Sequence, residues 1–234
     1  MGLMHTSWLR TRSPQAIAGF VLGATLVTGA IGGAAAQDSS PSAAACNVEQ
    51  AVADAPLVYT VDSEQSTASY TATEELASVG ANEVVGTTNA IIGSILFDED
   101  GTPLACSNFA VDMRTMETDE SRRDNYLRDN TLESDTYPFA IFVVASVGGG
   151  DGPVVDGETT VLQLTGDLTI HGVTKTATWD AEVIREAESL TGTATYTFLI
   201  ADFDMEKPIV GPVVSIEDEI TLSIDIVANI EDAG

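Results

Sequence analysis

The chain has 234 residues and carries 36 acidic against 9 basic side chains, which gives a formal net charge of −27. This excess of carboxylates excludes a protein that binds nucleic acid or an anionic membrane surface through charge. We interpret the acidic residues as a solvated coat that keeps the protein soluble. A saline habitat and calcium binding are the alternatives, although no loop has the ligand spacing of an EF-hand.

The first 36 residues predict a secretory signal peptide. Arg10 and Arg12 form a basic start, and an uncharged run of small and apolar residues follows from Ala16 to Ala36. The small residues at its end provide a cleavage point before Gln37. An uncleaved anchor is the alternative, since the run approaches the length that spans a bilayer. We therefore expect an exported protein, secreted or periplasmic, that stays membrane-anchored if this segment is retained.

Residues 37–56 are small and polar and contain proline, which predicts a flexible linker, and residues 57–230 then form one domain. The chain has two cysteines, Cys46 and Cys106. An even number of cysteines in an exported protein permits a disulfide. We expect these two to pair and to join the linker to the domain. A lipoprotein cleavage site at Cys46 is the alternative.

The first half of the domain contains short runs with the composition of strands. These runs are 57–61, 66–73, 86–97 and 108–113. Residues 74–82 are interpreted as a connection that can hold a helical turn. The run from Phe139 to Val147 is apolar on both faces, which predicts the most buried strand.

Residues 115–135 interrupt the strand pattern with a densely charged segment. Residues 120–128 predict a short helix, capped by Thr118 or Asp119. Arg122 and Arg123 lie in this helix. They either pair with neighbouring acids and tether the helix over the domain, which we favour, or meet the head group of a ligand.

The second half of the chain alternates apolar and polar residues with a period of two. From Leu162 to Ile170 the apolar residues share one face, and the same alternation recurs around Trp179, around Phe198 and from Ile220 to Ile226. This period is typical of a strand with one dry and one wet face. The whole pattern predicts an all-β protein with about eight antiparallel strands, closed into a barrel with one short helix over it.

Charge decides which face of the barrel is inside. Asp167, Asp180, Glu182 and Asp225 all lie on the polar face, and burying unpaired carboxylates in a narrow lumen is costly. The apolar face must therefore line the lumen. The residues expected to line it, and to contact any bound ligand, are Tyr70, Ile95, Phe97, Phe109, Val111, Phe139, Ile141, Leu162, Leu164, Leu168, Trp179, Tyr196, Phe198, Leu222 and Ile224.

The sequence contains no arrangement typical of an enzyme. His171 is the only histidine after the predicted signal peptide and lies in a turn between strands, where a structural or solvent-facing role is expected. One histidine and two separated cysteines do not make a usual zinc site. We therefore expect no catalysis, no metal and no cofactor other than a bound lipid.

Four segments in order resemble one known family. They are DESRRDNYL at 119–127, YPFAIF at 137–142, LTGDLTIHGVTK at 164–175 and Ala201-Asp202-Phe203 before the last strand. The series is similar to the YceI-like family of exported bacterial lipid- and polyisoprenoid-binding proteins, from about Tyr59 to Ala228. Two family positions differ, because Gln65-Ser66 stands where members carry His-Ser and Ile200-Ala201 where they often carry Asn-Arg.

The resemblance implies a lipocalin-like barrel that holds a long apolar lipid, a polyisoprenoid or an isoprenoid quinone, in its lumen. The alternative is a barrel filled by its own side chains, which acts as a structural or interaction module without a ligand. The sequence does not indicate the oligomeric state.

Overall fold

The structure is a computed structural model that describes residues 46–78, 80–150, 152–208 and 213–230. The predicted signal peptide and the first part of the predicted linker lie outside the described residues. The end of that linker forms a helix, α1 (Val48–Asp54), because the side chain of Asn47 accepts a hydrogen bond from the backbone N–H of Gln50 and caps its first turn.

Ten strands and a second helix follow. The strands are β1 (Leu57–Val61), β2 (Thr67–Leu76), β3 (Gly80–Thr88), β4 (Ile91–Phe97), β5 (Asn108–Asp112), β6 (Phe139–Gly148), β7 (Thr159–Ile170), β8 (Val173–Arg185), β9 (Ser189–Leu199) and β10 (Val213–Ile230). Helix α2 (Ser121–Tyr126) continues into a π-helical turn (Leu127–Thr131), and a 3-10 turn (Ile200–Phe203) follows β9.

Eight of these strands close into an antiparallel barrel, as predicted. The order β1-β4-β5-β6-β7-β8-β9-β10 closes because β10 also pairs with β1, through Tyr59 opposite Ile230. The long strand β10 pairs along its other half with β2, and β2 pairs with β3. Strands β2 and β3 thus extend the wall of the barrel at one end, which we call the upper end.

Two predicted strand boundaries are wrong. The run 86–97 is two strands, since β3 ends at Thr88 and β4 begins at Ile91. The predicted connection 74–82 instead lies mostly in strands, because β2 continues to Leu76 and β3 starts at Gly80, opposite it in the register. We had interpreted this stretch as a connection, although the period-two alternation of Tyr70, Ala72 and Glu74 continues into it.

The apolar face lines the interior, as the charge argument required. Leu162, Leu168, Trp179 and Phe198 are all buried, whereas the polar residues between them point outward. Cross-strand threonine pairs such as Thr165 and Thr178, 2.9 Å apart, cover the outer wall. Alternation therefore fixes the orientation of these strands correctly.

The prediction is wrong for Phe139 and Ile141, which lie on the outer wall and are 43% and 40% exposed. Their strand is apolar on both faces, so its pattern did not identify the inner one. The register decides: Phe142 lies opposite Phe109 of β5, and both point inward. For the same reason β6 is not the most buried strand.

The lower end of the barrel is closed by loops and by a disulfide. Cys46 and Cys106 are joined, with their Cα atoms 5.6 Å apart, so α1 is covalently attached beside β5. The guanidinium of Arg185 lies 5.5 Å from the centre of the Phe97 ring. Val154 is buried, and its backbone N–H donates a hydrogen bond to the carbonyl of Gly101. These contacts seal the lower end.

Candidate ligand-binding chamber

The upper half of the barrel contains a chamber of about 520 Å³. Its walls are mainly apolar, and its inner surface includes Tyr70, Val84, Met113, Leu132, Ile170, Phe198, Ile220 and Leu222. This volume is in the usual range for small-molecule sites in proteins, about 300–1,000 Å³. We call it the upper chamber.

The lower half of the barrel is almost filled by its own side chains. A cavity of about 50 Å³ remains there, the lower chamber, among large residues such as Phe109, Phe142 and Trp179. The ring centres of Phe142 and Trp179 are 5.5 Å apart. This space is far too small for a lipid chain. Among the described residues, the buried indole N–H of Trp179 has no hydrogen-bond partner.

The predicted lumen residues fall into four groups. Tyr70, Phe198 and Leu222 line the upper chamber. Ile95, Phe97, Phe109, Leu162, Leu164, Trp179 and Ile224 line the lower chamber. Val111 and Leu168 belong to the hydrophobic core, and Tyr196 packs against it. Phe139 and Ile141 lie outside the barrel.

Residues 113–137, which we call the lid segment, close the upper chamber on one side. In the described chain β3 pairs only with β2, apart from a bridge between Thr87 and Glu117, so a gap separates its other edge from the β4–β6 sheet. The lid segment fills this gap, and Leu127 and Leu132 face the chamber. The lid segment thus replaces a missing stretch of barrel wall.

Arg123 attaches the lid segment to the barrel. Its guanidinium donates to Asp119, just before the helix, at 2.7 Å and to the carboxylate of Glu74 on β2 at 3.1 Å. Glu74 is only 3% exposed and also accepts from the side chain of Asn82. Burial lowers the pKa of Arg123, but the hydrogen bond with Asp119 and the nearby carboxylates outweigh it and raise the pKa overall.

Arg122 differs from its neighbour. Its side chain is exposed and lines the upper chamber beside Asp119 and Glu120. Within the described part of the chain, its guanidinium makes no hydrogen bond or ion pair. These exposed polar residues mark the mouth of the chamber. Arg123 is therefore in the position of a tether, and Arg122 is the arginine that is available to a ligand there.

Tyr70 places a hydroxyl group in the wall of the upper chamber. The ring packs over Gly86, its partner on β3, where an added Cβ would come within van der Waals radii of the ring. The buried hydroxyl has no hydrogen-bond partner among the described residues. Burial raises the pKa of Tyr70 well above its usual range, so the phenol is neutral.

A second gap in the wall lies between β8 and β9, which separate above Thr195. The 3-10 turn 200–203 covers it, with Phe203 fully buried against Phe198 at a ring distance of 5.0 Å. His171, in the turn between β7 and β8, lies 3.3 Å from the carbonyl of Phe203 and 2.8 Å from the carboxylate of Glu133. The side chain of His171 therefore contacts both the lid segment and the 3-10 turn, which we call the two covers of the chamber.

The backbone conformation of the turn between β7 and β8 explains why glycine follows His171. His171 and Gly172 both have positive φ, 51° and 73°, as a two-residue turn of type I′ requires. Gly172 also lies against the ring of Tyr137, where an added Cβ would approach to 2.6 Å. The turn can therefore hold His171 between the two covers.

Some functional positions were not identified from the sequence. Glu74 falls in the segment that we interpreted as a connection, and the sequence did not predict its ion pair with Arg123. The period-two pattern from Tyr70 to Glu74 was the available signal. Ser66, at the family's His-Ser position, is fully buried and exchanges hydrogen bonds with the backbone of Val227, so its role is structural.

Two negative findings concern the described residues alone. No group of three or more His, Cys, Asp or Glu side chains is placed there to hold a metal ion. None of the helices in those ranges has both the length and the apolar character needed to cross a membrane.

Comparison with known proteins identifies the family. A family model described as the YceI-like domain matches residues 59–228, most of the chain. The chain belongs to the YceI-like family. It is 28% identical over 144 residues to a UPF0312 protein of Vibrio parahaemolyticus, in a match that covers 58% of this chain and 71% of that one.

Protein YceI of Shigella flexneri is 32% identical to this YceI-like chain over 111 residues, which is 47% of this chain and about half, 54%, of that relative. Among solved structures, a polyisoprenoid binding domain from Saccharophagus degradans superposes with a TM-score of 0.59 at 16% identity, covering 74% of this chain and 99% of that one. At this identity the superposition supports the fold.

Proposed function

We propose that this protein binds the apolar chain of a lipid in its upper chamber, without catalysis. The observation that carries the proposal is the chamber itself: about 520 Å³, mainly apolar, enclosed by the barrel wall and the lid segment, with polar residues at its mouth. The Saccharophagus domain with this fold is described as polyisoprenoid binding, which favours an isoprenoid chain.

Burial of apolar surface provides the affinity. Each Å² of apolar surface removed from water contributes about 25 cal/mol. A chain that loses a few hundred Å² therefore gains several kcal/mol, enough to offset the entropy lost on binding. No chemical group of the chamber has to react, and the polar residues at the mouth have only to accommodate a head group.

Arg122 is the residue that we propose for contact with that head group. It lies at the mouth without a carboxylate partner among the described residues, so an acceptor on the ligand can reach it. Its guanidinium can donate a hydrogen bond, which suits a ligand with an oxygen acceptor, such as a prenol or a quinone.

We also propose that the protein functions outside the cytoplasm. The sequence supports this through its predicted signal peptide, and the disulfide between Cys46 and Cys106 suits an oxidising compartment.

The rival function, a filled barrel without a ligand, is favoured by the lower half alone, where a cavity of only about 50 Å³ remains.

A chamber-filling substitution tests the proposal. Ala72 of β2 lines the upper chamber, so Ala72→Trp should occupy the space of the ligand and weaken binding of farnesol by at least about tenfold in calorimetric titration. Thr71→Trp is the matched control, because this neighbour points to the outer wall beside Val85.

The control should bind like the wild type, and both variants should melt near the wild-type temperature. Organic extraction of the purified wild-type protein should also release an apolar lipid. Equal farnesol affinity in the two variants, or no binding by the wild-type protein, would refute the proposal.

A further inference from the structure

The two chambers are separated by one layer of side chains. Along β10, Leu222 lines the upper chamber and Ile224, two residues on, lines the lower one. Along β9, Phe198 lines the upper chamber and Ala194 the lower one, so Tyr196 lies between them. The boundary between the chambers therefore falls at the same level on both strands.

The same reasoning identifies the other members of the layer. Met113 lines the upper chamber and Phe109 the lower one, so Val111, between them in the chain, lies at the boundary. On β7, Ile170 lines the upper chamber and Leu164 the lower one, so Leu168 lies at the boundary as well. Val111 and Leu168 are 7% and 2% exposed and belong to the hydrophobic core. We call Val111, Leu168 and Tyr196 the partition.

Aromatic contacts hold the partition from both sides. The ring of Tyr196 lies parallel to that of Phe198 above it, with centres 6.1 Å apart. Its other side meets Trp179 of the lower chamber at 5.6 Å. A chain that enters from the mouth therefore meets a packed layer, and the space behind that layer amounts to about 50 Å³.

We infer that the partition sets the maximum length of the bound chain, so that this protein takes a short-chain amphiphile rather than a long polyisoprenoid. This inference rests on the proposed function. Tyr70 and Leu76 both line the upper chamber and are six residues apart on β2, which pairs with β3 without a register shift, so they are about 20 Å apart along the strand. With strands tilted by about 40°, the chamber is about 15 Å deep. Leu168 and Tyr196 are then the residues that determine chain-length specificity.

A series of prenols of increasing length tests the inference: geraniol, farnesol, geranylgeraniol and solanesol. For the wild-type protein, affinity should rise by at least about tenfold per added isoprene unit while the chain still fits, and stop rising once it reaches the partition. Solanesol should bind no more tightly than the shortest member that fills the chamber.

Two variants open the partition independently, Leu168→Ala and Tyr196→Ala. In either one the limit should move to a longer prenol, while geraniol binding changes little. Leu96→Ala is the matched control: Leu96 is 1% exposed but lies outside the hydrophobic core cluster that fills the lumen, so it reports the effect of removing a buried leucine without opening the partition. Thermal melting confirms that each variant is folded.

The outcomes separate the two proposals. Binding that strengthens steadily through solanesol in the wild-type protein, or a length limit that stays unchanged in a folded Leu168→Ala or Tyr196→Ala variant, would overturn the chain-length inference alone. Absence of binding for every prenol would overturn the proposed function and this inference with it. If neither variant folds, the wild-type series still decides.

Discussion

The ion pair between Arg123 and Glu74 should contribute far more to stability than a surface ion pair, and its removal is a sharp test of the lid attachment. In Arg123→Ala, the carboxylate of Glu74 keeps one donor among the described residues, the side chain of Asn82, although Glu74 is only 3% exposed. The buried charge then lacks compensation. By comparison, an ion pair on the surface contributes only about 0–1 kcal/mol to the free energy of unfolding.

The magnitude follows from the burial of the two partners. Removing one partner of a fully buried pair costs about 3–5 kcal/mol. The side chain of Arg123 is 17% exposed and its second partner Asp119 is 88% exposed, so water screens part of the interaction. We therefore expect Arg123→Ala to lower the free energy of unfolding by about 2–3 kcal/mol.

Urea unfolding measures this change, and Arg122→Ala is the matched control. Both variants remove one positive charge from the same helix, so their effects on the net charge cancel in the comparison. Arg122→Ala should change stability by less than about 0.5 kcal/mol. Adding Glu74→Gln to Arg123→Ala should restore part of the loss, since the uncompensated charge disappears. Equal stabilities of the two single variants would refute the reasoning.

Three further predictions concern two groups at opposite ends of the barrel, Tyr70 and the disulfide. Tyr70→Phe should raise the free energy of unfolding by about 1 kcal/mol, because it removes a buried hydroxyl without a partner; a loss of stability in urea unfolding would contradict this. Burial raises the pKa of Tyr70, so above about pH 10 the unfolded chain releases a proton that the folded protein keeps, and stability should fall as the pH rises further, less steeply in Tyr70→Phe. At the lower end, reducing the disulfide, which closes a loop of 60 residues, should cost about 4 kcal/mol, and thiol labelling of the denatured, unreduced protein should find no free thiol.

Strand orientation could be predicted wherever the two faces of a strand differ in polarity. Trp179 is followed on its own strand by Asp180 and Glu182, which lie on the opposite face, and the cost of burying those acids decided that Trp179 points inward. In β6 both faces are apolar, so Phe139 and Ile141 could not be distinguished from Phe142 by their chemistry. Only the pairing of Phe142 with Phe109 across two strands fixes that choice, and pairing is a property of the folded sheet.

The location of the chamber could not be predicted, because it depends on volumes summed across strands. Phe198 and Trp179 occupy equivalent inward positions in the sequence pattern, yet one borders a chamber of about 520 Å³ and the other a cavity of about 50 Å³. The difference arises because the bulky Phe142 and Phe109 face Trp179 at one level. At the other level, the wall is partly replaced by the lid segment.

The two ends of the barrel are held by different kinds of contact, which indicates where a ligand can enter. The lower end is fixed by a disulfide, by backbone hydrogen bonds and by Arg185 over Phe97. At the upper end, the lid segment is joined to the barrel by one short backbone bridge, between Thr87 and Glu117, and by side chains, those of Arg123 and His171 among them.

Side-chain contacts of this kind open at lower cost than a covalent bond or a paired strand. His171 makes two such contacts, 2.8 Å from the carboxylate of Glu133 and 3.3 Å from the carbonyl of Phe203. The covers of the upper chamber are therefore the parts that can move without unfolding the barrel, and under the proposed function we expect the ligand to enter at the end where the wall is already incomplete.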